Sequence, residues 1–278
     1  RGETLDIPLA KSDKLIAHIE GGVMSSSERP WTRTTVEQLA DNKKAHSVSI
    51  PLIMDRGAAK VALVESDVAN YPSLRVMAGG KGLETKISKY PKKFEIKKHM
   101  RIAAESEDFI AKTVPARDFP WRAFIVARND ADLAVNDTVF RLAKPCAIKD
   151  TSWIKPGTCV WEWWNNWNLD GVDFESGVNE NTYRYLIDFA AENSIPYVIF
   201  DASWLTGKDA GEMIDTDEAL AQGKTFIDVP GLIAYAKEKN VKIILWVLAK
   251  SMAKYPVEAY DVMKKWGAAG LKIDFTDR

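Results

Sequence analysis

Cysteine and histidine are scarce in this sequence, which holds two cysteines and three histidines among 278 residues. Cys146 and Cys159 are too few for a disulfide framework and lack zinc spacing, so the expectation is a pair of unpaired, packed thiols. His18, His46 and His99 lie far apart in the first half and show no metal-ligand spacing, and no local motif supports a Ser/His/Asp triad. An excess of either charge is missing too. Lys and Arg number 38 against 39 Asp and Glu, for a formal net charge of -1. That balance gives no electrostatic reason to expect nucleic acid or an anionic membrane as partner, and favours a neutral, locally recognised ligand. No apolar run approaches the roughly 20 residues needed to span a bilayer, and the N-terminal RGETLDIPLA has no signal-peptide hydrophobic region. Nor does a GxGxxG or a GxxxxGKS/T loop follow the first apolar strand of the second half, which argues against nucleotide binding.

What is present is ample core material: 46% hydrophobic residues and 10 tryptophans. The first half carries short apolar segments broken by turn residues, namely SVSIPLIM (47–54), KVALVES (60–66), FIVAR (124–128) and DTVFRLA (137–143). Their alternation and β-branched content predict strands, with turns at AGGKG (78–82) and RNDAD (128–132). The basic stretch SKYPKKFEIKKHMR (88–101) reads as a solvated loop or edge strand. Residues 1–149 are therefore expected to be an antiparallel β domain.

From residue 150 the pattern changes to alternating strand and helix. CVWEWW (159–164), YVIFDAS (197–203), KIILWVLA (242–249) and LKIDF (271–275) read as strands. NTYRYLIDFAAENS (181–194), GLIAYAKEKN (231–240) and PVEAYDVMKKWGAAG (256–270) read as the helices between them. Strands that are almost continuously apolar are buried on both faces, so four parallel strands joined by helical crossovers are expected, as a doubly wound sheet or a (β/α)8 barrel. The polar and aromatic residues gather at the strand C-termini, which favours the barrel. Residues 150–278 hold only about its first four strand-helix units, so a longer native chain is expected.

Two constellations invite chemistry. Asp274 ends the last strand, with Lys272 two residues earlier on the same face. A neighbouring cation keeps a carboxylate ionised, as a nucleophile requires, although a structural salt bridge or a helix cap would produce the same pattern. The second is VWEWWNNWN (160–168), with four tryptophans around Glu162 and three asparagines. Aromatic faces stack on sugar rings and amides satisfy hydroxyls, so Trp163, Asn165 and Glu162 suit a carbohydrate pocket; tryptophans filling a core are the alternative. FDASW (200–204) repeats the theme, with Asp201 either holding hydroxyls or capping a helix, and Trp204 beside it. Glu65, an isolated acid in the β half, reads from its surroundings as solvent-facing.

Taken together, VESDVANYPSL, FPWRAFIVARNDADL, WIKPGTCVWEWWNNWN, YVIFDASW and LKIDFTDR resemble glycoside hydrolase family 97, in this order and over most of the chain. The resemblance implies an N-terminal β-supersandwich, a catalytic (β/α)8 barrel and a small C-terminal β domain. It also implies secreted or periplasmic bacterial enzymes that act on α-glycosides with calcium in the active site. Asp274 matches the position where the retaining α-galactosidase branch carries its nucleophile and the inverting α-glucosidase branch carries glycine. Glu65 matches a calcium ligand of the family, whose other ligands and acid/base glutamate fall outside this sequence. Glu162 stands where relatives often have aspartate. The expectation is a calcium-assisted, exo-acting retaining α-galactosidase, with Asp274 as nucleophile, Lys272, Asp201, Trp204, Trp163, Asn165 and Glu162 toward the substrate, and Glu65 toward Ca2+. The alternatives are a retaining enzyme for an α-glucoside or β-L-arabinopyranoside, or a non-catalytic carbohydrate-binding relative.

Overall fold

A computed structural model describes residues 2–22, 29–97, 100–206 and 217–275. His99, Asp277 and Arg278 lie outside the described residues. The chain divides into two compact units, residues 1–95 with 103–149 and residues 150–277 with 96–102.

The first unit is built on antiparallel strands. β1 (Ile7–Pro8), β2 (Lys14–Glu20), β3 (Thr32–Thr35), β4 (Ser47–Asp55), β5 (Lys60–Ser66), β6 (Arg75–Gly79), β7 (Gly82–Thr85) and β10 (Trp121–Ala127) form one eight-stranded sheet. Its path runs β1-β7-β6-β4-β2-β3, with β5 joining β4 to β10. β8 (Pro91–Lys97), within the basic stretch, and β9 (Met100–Ser106), which begins at its end, pair separately. Pro51 interrupts β4, and there the β2–β4 ladder shifts register between Ile16 and His18, as a residue without an N–H dictates. The β6–β7 turn needs glycine at Gly82, because φ is +135° and a Cβ there would stand 2.2 Å from the Ile7 carbonyl oxygen. Leu15, Leu39, Leu52, Leu63, Leu74 and Val76 fill the core. α1 (Val36–Asp41) packs Val36 and Leu39 into it from a Thr35/Gln38 capping box.

Two expected features of this unit differ. DTVFRLA forms the helix α3 (Thr138–Leu142), not a strand. Val139 and Leu142 are three apart, and an apolar run this short fits a helical face as well as a strand. RNDAD opens the helix α2 (Asp130–Ala134) because the Asn129 side chain accepts from the Asp132 N–H.

The second unit holds four parallel strands, β11 (Cys159–Trp161), β12 (Tyr197–Phe200), β13 (Lys242–Leu248) and β14 (Gly270–Asp274), in that order across the sheet. The crossovers carry α4 (Glu180–Glu192), then α5 (Asp217–Ala221) and α6 (Val229–Glu238), then α7 (Ala249–Lys254) and α8 (Pro256–Trp266). α4 starts where Asn179 caps the Thr182 N–H, and buries Thr182, Tyr183, Leu186, Ile187 and Ala190 at helical spacing. Asp228 caps α6, and α8 opens on Pro256 and is closed by Gly267, whose φ of 91° lets its N–H and that of Ala268 close on the Met263 carbonyl. These faces meet Val198, Phe200, Ile243, Leu245 and Val247 of the strands in one core.

The strand expected over 159–164 ends at Trp161, where a 3-10 turn, Glu162–Asn165, takes over. Cys146 and Cys159 are free as expected but exposed, not packed. No helix among the described residues is long and apolar enough to cross a membrane.

Candidate active site

The C-terminal edge of the parallel sheet gathers the polar side chains of the second unit. Register explains how. β13 and β14 pair Trp246 with Lys272 and Leu248 with Asp274, so Trp246, Lys272 and Asp274 share one face of neighbouring strands. Lys272 Nζ lies 2.9 Å from Asp274 Oδ2 and 3.1 Å from Asp201 Oδ2, an ammonium shared by two carboxylates. The indole Nε1 of Trp246 donates to the same Asp274 oxygen at 3.0 Å. Phe275, in the left-handed region at φ 52°, turns the chain so that its N–H donates to Asp274 Oδ1 at 2.8 Å. Partial burial works to raise the Asp274 pKa. The hydrogen bonds from Lys272, Trp246 and the Phe275 N–H, with the Lys272 charge, outweigh it and hold the carboxyl below its usual 3.8. With its side chain 44% exposed, Asp274 is an anion that solvent can still reach.

Behind it lies a second layer. Asp201 is buried; its Oδ1 caps the Ala202 N–H at 2.8 Å, and its Oδ2 accepts the Trp161 indole at 2.7 Å besides Lys272. Lys272 Nζ also sits 4.8 Å above the Trp161 ring centroid, a cation–π contact that keeps the ammonium over the sheet edge. Glu162 is 1% exposed, and its Oε1 accepts from the Asp201 N–H at 2.7 Å and the Tyr183 hydroxyl at 3.1 Å. Burial, and secondarily the Asp201 charge, push the Glu162 pKa up to about 7 against the hydrogen bonds that lower it.

The tryptophan segment splits between both layers. Trp161 stacks on Trp163 at 5.7 Å, and Trp164 meets both edge-on. Trp163 is half-exposed and offers an open aromatic surface, whereas Trp167 is buried and donates to Tyr183 Oη at 3.0 Å. Asn166 and Trp167 both take positive φ, 53° and 55°. That conformation is unfavourable for tryptophan, and its burial and indole hydrogen bond offset the strain. The exposed Asn165 and Asn168 close this loop reciprocally, each amide N–H2 donating to the other's carbonyl, at 2.8 and 2.9 Å.

The structure thus brings Asp274, Lys272, Asp201 and Glu162 together, with Trp163 and Asn165 on the adjoining surface loop. Three of the expected substrate contacts are buried. Trp204 has no exposed face: it lies in the core and donates its indole to the Trp246 carbonyl at 2.9 Å. Glu162 and Asp201 are likewise buried and engaged within the protein, so they support the edge from below. Two further residues, Trp246 and Tyr183, join the site. Trp246 betrays itself as the one aromatic in an otherwise aliphatic strand, and Tyr183 as the hydroxyl-bearing residue on a buried helical face.

Glu65 belongs to the first unit and is held by a cation. Its Oε2 accepts from Arg122 Nη1 at 2.5 Å and the Leu74 N–H at 2.8 Å, and the same guanidinium grips Glu3 at 2.8 Å. Calcium takes six to eight oxygen ligands. Among the described residues no group of three His, Cys, Asp or Glu side chains could hold a metal ion, and a guanidinium already neutralises this carboxylate. The further ligands expected for calcium fall outside this sequence, and within it Glu65 is engaged by Arg122.

Comparison with known proteins agrees with this architecture. Residues 161–278 match the family Glycoside hydrolase 97, and residues 2–145 match Glycosyl-hydrolase 97 N-terminal. A protein of Bacteroides thetaiotaomicron described as a retaining alpha-galactosidase is 38% identical over 99% of this chain and 41% of its own length. A probable retaining alpha-galactosidase of Streptomyces bingchenggensis is 33% identical over 57% of this chain and 23% of its own. This chain therefore spans less than half the length of these relatives. Among solved structures, a Glycoside Hydrolase Family 97 enzyme in complex with acarbose, from Pseudoalteromonas sp. strain K8, superposes with a TM-score of 0.65 at 18% identity, covering 95% of this chain and 38% of its own. A beta-arabinopyranosidase does so with a TM-score of 0.57 at 15% identity, over 96% of this chain and 41% of its own.

Proposed function

The chain belongs to glycoside hydrolase family 97, and from that premise we propose that it is part of a retaining, exo-acting α-galactosidase with Asp274 as the nucleophile. The observation that carries this reading is the state of Asp274: ionised, reachable and fixed by donors on both oxygens. A retaining glycosidase needs such a carboxylate about 5 Å from an acid/base partner. A fixed anion attacks the anomeric carbon as the leaving oxygen is protonated, and a water then releases the sugar with its configuration kept.

In this reading Lys272 keeps Asp274 charged and aimed, and Trp163 provides a face for the sugar's C–H surface. The acid/base glutamate comes from outside this sequence. Calcium belongs to the same proposal, with Glu65 as one ligand and the others from outside this sequence, and no step is routed through the metal. The supersandwich, the closed barrel and a periplasmic or extracellular setting are parts of the same proposal. The name of the Bacteroides relative and the presence of a carboxylate at position 274 support it.

The test uses the complete protein on aryl α-galactoside and aryl α-glucoside, following the released sugar by proton NMR in the earliest turnover. Initial α-galactose is the expected product, and initial β-sugar would overturn retention. Asp274→Ala should abolish turnover, with azide restoring part of it as a β-glycosyl azide.

A further inference from the structure

Glu162 is the least explained group in the second unit. It is a buried acid whose Oε2 has no hydrogen-bond partner, set directly beneath the residues that hold the reacting carboxylate. Three elements converge on it. The end of β12 presents the Asp201 N–H and carboxylate, α4 presents the Tyr183 hydroxyl, and the tryptophan loop presents Trp167, whose indole fixes that hydroxyl from behind. Both donors meet the same oxygen, Oε1, so one acceptor atom ties strand, helix and loop together.

From this geometry we infer that Glu162 is a positioning residue for Asp274, acting through Asp201 and Lys272. The chain of contacts is continuous. Glu162 Oε1 holds the backbone of Asp201, Asp201 Oδ2 holds Lys272 Nζ at 3.1 Å, and Lys272 Nζ holds Asp274 Oδ2 at 2.9 Å. Lys272 has two carboxylates to choose between. If Asp201 moves, the ammonium is freed from its second anchor and its distance to Asp274 is no longer set. What Glu162 supplies is an acceptor at a fixed place, not a charge. Both hydrogen bonds are donated to Oε1, and a carboxylic acid protonated on the other oxygen still accepts them. A glutamine can do the same, and a hydrocarbon side chain of similar length cannot.

The inference rests on the proposed role of Asp274, and its test separates the two. The complete enzyme carries Glu162→Gln, Glu162→Leu or Tyr183→Phe, and the pH dependence of kcat/KM is measured on whichever glycoside the wild type turns over. The acid limb of that profile reports the free enzyme's nucleophile. In Glu162→Leu that limb moves to higher pH, because Asp274 keeps its partial burial and loses a firmly placed Lys272, and kcat falls by about tenfold or more with little change in KM. Glu162→Gln retains the wild-type limb and stays within about threefold in rate. Tyr183→Phe, which removes one of the two donors, moves the limb in the same direction by less; it decides the matter if the leucine variant does not fold. A merely structural Glu162 would lower thermal stability and leave the limb in place, and that result overturns the inference. A glutamine variant as impaired as the leucine variant overturns it also. Failure of the functional reading looks different: the wild type inverts, or Asp274→Ala remains active.

Discussion

Trp246 and Lys272 are register partners across two adjacent strands, and both donate to the same oxygen of Asp274, at 3.0 and 2.9 Å. An aspartate at a strand end would otherwise rotate freely. Here an indole and an ammonium hold one oxygen and a backbone N–H holds the other, so the orientation of the carboxylate is set by the protein itself. The proposed nucleophilic role requires such an orientation.

Trp246→Phe tests that arrangement with the least disturbance, since a ring still fills the core. One donor to Asp274 disappears while its partial burial remains. The acid limb of kcat/KM is expected to move to higher pH. The rate at the optimum should fall on the order of tenfold, the loss typical of one hydrogen bond to a charged group. An unmoved limb would mean that the indole does not act on Asp274.

Lys272→Met removes the shared cation and leaves two carboxylates facing each other. Activity should fall by roughly a hundredfold or more. The stability effect has a definite sign. A carboxyl whose folded pKa is depressed adds stability that is present above its unfolded value, near 3.9, and lost as pH falls through the folded value. The wild type therefore has this contribution at pH 6 and loses it toward pH 3, and the variant lacks it throughout. Melting temperatures of the two should converge on acidification. A constant gap would place the role of Lys272 elsewhere.

Trp163 and Trp204 lie at different depths beneath the same sheet edge and should fail differently. Trp163→Ala, at a half-exposed ring, is expected to raise KM with little change in melting temperature. Trp204 is fully buried, and Trp204→Ala should destabilise the second unit by about 3–5 kcal/mol, the usual loss for a large aromatic core residue. Urea titration and Michaelis kinetics on the same preparations separate the outcomes.

Much of this was legible in residue order alone. Period-2 runs marked β4, β5 and β10 of the first unit but not its shorter strands, and continuous apolar runs marked the four parallel strands of the second. The i, i+2 spacing of Lys272 and Asp274 placed both on one face because a strand alternates strictly. What pattern could not reveal was depth. Glu162, Asp201 and Trp204 follow strand ends as Trp163 and Asp274 do, and only the tertiary fold decides which point outward. Trp246 was invisible for the complementary reason: inside an apolar strand a tryptophan reads as packing, and its N–H acquires meaning only once the register with Lys272 is known. DTVFRLA failed because so short a run cannot distinguish two periods.

Glu162 should leave a mark on stability as well as on rate. Its carboxyl titrates near 4.5 when free and near 7 in the fold. Between those values the unfolded chain binds fewer protons, so stability falls as pH rises through this window and is greatest below it. The loss amounts to up to about 3 kcal/mol for a group this deeply buried. Glu162→Gln has no proton to lose and should flatten the decline. Urea unfolding at pH 4.5, 6 and 7.5 measures it, and parallel slopes in the two proteins would refute the assignment.

Glu65 provides a test of the first unit that also bears on calcium. Its Oε2 is bound by Arg122 and by the Leu74 N–H, and Arg122 in turn holds Glu3, all with little exposure. Arg122→Ala leaves two largely buried carboxylates without their cation, which should destabilise this unit on the order of 3 kcal/mol. Glu65→Gln keeps an acceptor for both donors and should lose less. If Glu65 serves Arg122 and not a metal, these differences are the same in the complete protein with excess calcium and with chelator. If calcium instead draws Glu65 away from the guanidinium, Glu65→Gln will be far more damaging when calcium is present, because the wild type alone then gains the stabilisation of a bound ion. Calorimetric melting of the variants under both conditions decides between the two, and the arginine clamp predicts no difference.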